Sequence, residues 1–184
     1  MLRYFAAPFT ILFALMLATS PSALAQGRDY ITDEEAEIVR DSQEIDKRVD
    51  VLVHCIDRRL TVLKLAADAK PEKTKDDWGP MPSGTRAELL SDIKNILQKA
   101  IDDIDNLAEH PDSAFIPFDP KEKRKKPPDI FSAAVRNLAA AAGRYRPILS
   151  RELDNSKDQK ESGLLIASLE MCDEITASLS KLKS

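Results

Sequence analysis

Residues 32–69 read TDEEAEIVRDSQEIDKRVDVLVHCIDRRLTVLKLAADA, and this stretch decides the fold class. Its apolar residues recur at alternating intervals of three and four, which is the spacing of one face of an α-helix and not of a β-strand. This coiled-coil-like stripe comprises Ile38, Ile45, Val49, Leu52, Ile56 and Leu63, and it becomes regular once Ser42 and Arg59 are included. Val51, Cys55 and Val62 form a second stripe, so we expect the helix to contact two neighbours.

The ends of this first helix are marked by local signals. Thr32 and Glu35 have the spacing of a capping box, in which the hydroxyl accepts a backbone N–H and the carboxylate reaches back to the start of the helix. At the other end, Lys70-Pro71 disfavours helical geometry. We therefore predict one helix over about 32–69.

Three further helices follow from the same kind of pattern. A second capping box at Thr85 and Glu88 opens a helix over about 85–110, which His110-Pro111 ends. A third covers about 129–153 and continues through Pro147, and a fourth covers about 156–183. Since no segment alternates with period two, we predict an all-α fold, specifically an antiparallel (up-down-up-down) four-helix bundle. Its two long loops are residues 70–84 and 111–128.

Composition supports a helical fold and limits the possible functions. The chain has 184 residues, of which 43% are hydrophobic and 32% charged, with only 5 Gly. Few glycines and few aromatics are atypical of β-sandwiches and barrels. The net charge of −4 argues against a dedicated nucleic-acid-binding protein, which is usually basic. The length fits a single domain, which we place at 26–184.

The first 25 residues have the pattern of a secretory signal peptide. Arg3 supplies a positive start, residues 6–18 are apolar, and Ala23-Leu24-Ala25 offers a cleavage site before Gln26. The alternative is an uncleaved membrane anchor, but about 13 apolar residues are fewer than the ~20 that a span requires. We expect cleavage, export to the periplasm or the extracellular space, and no transmembrane span in the mature chain.

Export affects the two cysteines, Cys55 and Cys172, because they then meet an oxidising compartment. In an up-down-up-down bundle, both would lie at a similar height, on the first and last helices. We therefore predict a disulfide between them. The alternative is two buried free thiols, since Cys is also an ordinary small core residue.

The sequence contains no motif of a known catalytic or metal site. Neither cysteine belongs to a haem-attachment motif, and neither histidine belongs to the Glu-x-x-His motif of di-iron bundles. The helical period places His54 on an outward, solvated face, and it places His110 at a helix C-terminus, where it suits the dipole. We expect neither enzymatic activity nor a cofactor.

The strongest functional candidate is a basic run in the second loop. Its cations are Lys121, Lys123, Arg124, Lys125 and Lys126, and an apolar stretch, Phe115-Ile-Pro-Phe118, precedes it. Such a run is either a solvated loop or a contact for an anionic surface. We expect a noncatalytic protein that interacts with an unknown protein or an anionic envelope component. The alternative is a carrier that holds a small ligand or cofactor between its helices.

Overall fold

The computed structural model describes residues 28–65, 78–110 and 127–182, and this part of the chain is α-helical without strands. The all-α prediction is confirmed. Five α-helices are present there: α1 (Asp33–Asp41), α2 (Ile45–Val62), α3 (Arg86–Glu109), α4 (Pro127–Asn155) and α5 (Gln159–Ser178). A 3-10 turn, Leu179–Lys181, extends α5. None of these helices is long and apolar enough to cross a membrane. The predicted signal peptide lies outside the described residues.

The prediction of one helix over 32–69 is wrong, because the chain breaks between α1 and α2. Ser42 caps the end of α1, and its carbonyl accepts a hydrogen bond from Arg48 Nε at 2.9 Å. In α1, Glu35 accepts a hydrogen bond from Arg58 at 2.7 Å, although 23 residues separate the two. A continuous helix would place them about 34 Å apart at 1.5 Å per residue. The break therefore allows α1 to fold back along α2.

The two capping boxes and the end of α3 at His110 are confirmed, whereas α2 already ends at Val62 and the predicted stop at Lys70-Pro71 lies outside the described residues. Both capping boxes are formed, with the Thr32 and Thr85 hydroxyls accepting the backbone N–H of Glu35 and Glu88 respectively. His110 is the C-cap of α3, as expected from its position. The third predicted helix does continue through Pro147, and α4 runs on to Asn155.

Contacts between side chains fix the directions of the four long helices. Asp50 of α2 accepts a hydrogen bond from Asn137 of α4 at 2.9 Å, and Asp57, further along α2, accepts one from Tyr145, further along α4, at 2.8 Å. Helices α2 and α4 are therefore parallel. At the start of α3, Arg86 binds both Glu152, near the end of α4, and Glu161, near the start of α5. Helices α3 and α5 therefore run parallel to each other and opposite to α2 and α4.

The order of the helices around the core differs from the order in the sequence. Each long helix packs most extensively against two others, in the cyclic order α2, α3, α5, α4. Helices α2 and α5 are diagonal and share no extensive contact. The predicted seams fill the interior, and Val49, Leu52, Ile56, Ile93 and Leu97 are completely buried.

This arrangement corrects the disulfide prediction. Cys55 and Cys172 are both buried and both free. Cys55 belongs to α2 and Cys172 to α5, which are the diagonal pair. Neighbouring helix axes are already ~8–10 Å apart, whereas a disulfide requires Cα atoms within ~7 Å. Diagonal helices are farther apart than neighbours, so the structure does not support the bond.

Candidate functional site

A cavity of about 390 Å³ opens where the C-terminal ends of α3 and α5 meet the N-terminal end of α4. We call it the end cavity. Helix α3 contributes Ile101, Ile104 and Asp105, and helix α4 contributes Phe131, Val135 and Leu138. The remaining wall is formed by Glu174, Ile175 and Ser178 of α5, with Leu182 beyond its end. Within each helix, these residues recur at intervals of three or four and so share one face.

The floor of the end cavity is apolar. Ile104, Val135, Leu138 and Ile175 belong to the hydrophobic core and are buried. Phe131 is half-buried and packs against that core. An apolar floor favours apolar ligands, because each methylene that leaves water contributes about 0.8 kcal/mol.

The polar lining of the end cavity is acidic. Asp105 and Glu174 are exposed, and neither has an ion-pair partner among the described residues. Ser178 donates its hydroxyl to the Ile175 carbonyl at 2.6 Å, which leaves its oxygen as an acceptor. The last turns of α3 and α5 contain no basic residue, so nothing within them offsets the negative ends of the two helix dipoles.

A second polar feature lies at the opposite end of the helices. It consists of three arginines and two carboxylates, and we call it the buried ionic cluster: Arg28, Glu35, Arg58, Arg59 and Asp92. Glu35 is completely buried, and its Oε1 accepts hydrogen bonds from Nη1 of both Arg58 and Arg59 at 2.7 Å. Its Oε2 accepts the Thr32 backbone N–H at 2.9 Å.

Asp92 of α3 forms the other half of the buried ionic cluster. Its two carboxylate oxygens accept hydrogen bonds from Arg28 at 3.0 and 2.8 Å. The Nε of Arg59 lies 3.7 Å from Asp92 Oδ2 and forms no hydrogen bond. Burial raises the pKa of Asp92, and the neighbouring Arg28 and Arg59 oppose that shift.

The other arginine donors of the cluster bind backbone carbonyls. Arg58 donates to Pro80 O at 2.7 Å, Arg59 to Tyr30 O at 2.8 Å and Arg28 to Ser83 O at 2.8 Å. The first two bonds fasten the chain before α3 and the chain before α1 onto the end of α2, and the third joins those two segments to each other. Except for Arg59 Nε, the cluster uses its arginine donors for hydrogen bonds within the protein, and it acts as a clamp that positions segments.

The expectation of a solvated His54 is wrong. Its ring is half-buried and meets the Trp78 ring edge-on, with the centroids 4.2 Å apart. Trp78 also lies 5.8 Å from the Arg58 guanidinium, within the range of a cation–π contact. The helical period could not predict this, because the covering residue comes from a different segment of the chain.

The other predicted site residues do not form a site in the described structure. The basic run Lys121, Lys123, Arg124, Lys125 and Lys126 lies outside the described residues. No group of three or more His, Cys, Asp or Glu side chains within the described ranges could hold a metal ion. The sequence predicted most of the apolar residues that line the end cavity only as parts of the helix periods, and it assigned the polar lining residues to no site, because a cavity depends on how the ends of the helices are spaced.

Comparison with protein-family models, with curated proteins and with solved structures found no match to this chain.

Proposed function

We propose that this chain is an exported, noncatalytic helical-bundle protein that carries a small apolar molecule in its end cavity. The observation that carries the proposal is the cavity itself. Its volume of about 390 Å³ falls within the ~300–1,000 Å³ of typical ligand sites. Its floor is apolar, and its few polar groups lie on α3 and α5, which resembles the usual composition of a small-molecule pocket.

Binding of octanol, measured by isothermal titration calorimetry, tests this proposal. Ile101 lines the end cavity and is half-buried, so Ile101→Trp fills the space with little change to the core. We expect this variant to bind octanol at least ten-fold more weakly than the unmodified protein. The matched control is Ile166→Trp, since Ile166 is 45% exposed on α5 and does not line the cavity.

The control variant should bind octanol as the unmodified protein does. Thermal unfolding followed by circular dichroism checks that both variants remain folded. No octanol binding by the unmodified protein, or equal loss in both variants, would contradict a carrier function.

A second candidate is interaction with an anionic envelope surface through the basic run. The observation that favours it is the five cations directly before Pro127, where α4 begins. Near a negatively charged membrane, each basic residue contributes about 1 kcal/mol at low ionic strength. Replacing Lys121, Lys123, Arg124, Lys125 and Lys126 together by Gln should therefore reduce co-sedimentation with phosphatidylserine vesicles strongly.

The control replaces five exposed cations outside the basic run by Gln, which changes the net charge equally: Lys47, Arg136, Arg151, Lys157 and Lys160. This variant should retain most of the vesicle binding. If both variants sediment like the unmodified protein, the basic run is a solvated segment and this candidate fails.

A further inference from the structure

We infer that the ligand of the end cavity is an amphiphile with a short alkyl chain and a cationic head group. This inference rests on the proposed carrier function and adds the chemistry of the ligand. The alkyl part is assigned to the apolar floor, and the head group to the carboxylates of Asp105 and Glu174.

The charges that line the cavity have one sign. Asp105 of α3 and Glu174 of α5 are both lining residues, and no Lys, Arg or His of the described chain lines the cavity with them. Neither carboxylate forms an ion pair with a described residue. Nearby carboxylates on the same helices differ in this respect: Lys99 binds Asp103, and Arg146 binds Asp173.

The backbone adds to this negative potential. The cavity lies at the C-terminal ends of α3 and α5, where the helix dipole is equivalent to about half a negative charge. Cations usually occupy such helix ends, yet the last turns within Arg86–Glu109 and Gln159–Ser178 contain none; His110 follows the first of these helices, and Lys181 ends the 3-10 turn after the second. The N-terminal end of α4 has the opposite polarity, but Asp129 already lies in its first turn.

The arrangement separates the two parts of the ligand. Buried Ile104, Val135 and Leu138 provide surface for an alkyl chain, whereas Asp105 and Glu174 are exposed and can meet a head group that remains in contact with water. A cation held at the edge of the cavity does not have to lose its full hydration, which avoids the large cost of burying a charge. An anionic head group at the same place would be repelled.

The experiment compares three probes that share an octyl chain and differ in head group: octyltrimethylammonium, octanol and octyl sulfate. Affinities are measured by isothermal titration calorimetry on the full-length mature protein at low ionic strength. Since an exposed ion pair contributes about a 1.4- to five-fold effect, two carboxylates should favour octyltrimethylammonium over octanol by at least about two-fold. Octyl sulfate should bind more weakly than octanol.

The double variant Asp105→Asn/Glu174→Gln should lose the preference for the cationic probe while its affinity for octanol stays the same. The matched control, Asp102→Asn/Glu170→Gln, makes the same charge change on the same two helices at exposed residues that do not line the cavity. This control should keep the preference. In the unmodified protein, the preference should also fall as ionic strength rises from about 0.01 M to about 1 M, because the Debye length shrinks from about 30 Å to about 3 Å.

Two results overturn the inference and leave the carrier function intact. The first is octanol binding without a preference for the cationic probe. The second is an equal loss of preference in the double variant and in its control. If octanol itself does not bind to the unmodified protein, the proposed function fails, and the inference fails with it.

Discussion

At the residue scale, Glu35 shows how a single buried carboxylate organises one end of the molecule. An isolated charge in a protein interior is very costly, but Glu35 accepts hydrogen bonds from Arg58, Arg59 and the Thr32 backbone. The same carboxylate completes the capping box of α1 and holds α1 against α2. The position of α1 therefore depends on a charge and not only on apolar contacts.

Replacing Glu35 by Gln should lower the free energy of unfolding by about 3–5 kcal/mol, because it leaves two buried guanidinium groups without their carboxylate. Urea denaturation followed by circular dichroism measures the change. The matched control is Glu37→Gln on the same helix, where Glu37 is exposed and, among the residues that the structure describes, pairs with Arg40 alone. That change should leave the free energy of unfolding nearly unaltered. Similar effects for the two variants would show that the buried ionic cluster does not hold α1 in place.

At the element scale, local signals and periodicity predicted where helices exist better than where they stop. The capping hydroxyls of Thr32 and Thr85 act within four residues, so the chain around them is sufficient to place a helix start. The break at Ser42–Glu44 has no Gly or Pro to mark it, and the apolar spacing continues across it. The break brings Glu35 to Arg58 and Arg59, a contact between residues more than 20 positions apart that no local pattern contains.

The Ala139–Gly143 run of α4 gives a second example at this scale. Small residues allow a neighbouring helix to approach closely, and Ala139, Ala141 and Ala142 are buried. Gly143 is different, since a Cβ atom added there would meet nothing within 4 Å. Small size therefore identified the packed face, but it did not identify which of the small residues belong to that face.

At the scale of the whole molecule, the cyclic order of the helices decides which side chains can meet. Four helices whose directions alternate along the sequence can be arranged around a core in more than one order. In this protein, α4 packs next to α2, and α5 packs next to α3. The buried thiols of Cys55 and Cys172 are consequently on diagonal helices. The disulfide was predicted because the two cysteines would lie at a similar height along their helices. The bond also requires that the two helices be close neighbours, and α2 and α5 are not.

Thiol titration of the unreduced protein, denatured in urea, should therefore find two free thiols per chain. In the native protein, both should react slowly with a thiol reagent at pH 8. Burial raises the pKa of Cys55 to about 12 and that of Cys172 to about 11, so little of either is present as the reactive thiolate. A Cys172→Ala variant should titrate one thiol. Zero thiols together with a monomeric mass would contradict the helix order described above.

The sequence by itself determined the all-α class, the helix starts at the two capping boxes, and most of the buried face of each helix. These follow from interactions between residues a few positions apart. Only the tertiary structure decided the break that creates α1, the partners of Arg58 and Arg59, the diagonal positions of the cysteines and the end cavity. Each of these features depends on how elements that are distant in sequence pack together. A helical period specifies which face of a helix is buried, but it does not specify which neighbouring helix covers that face.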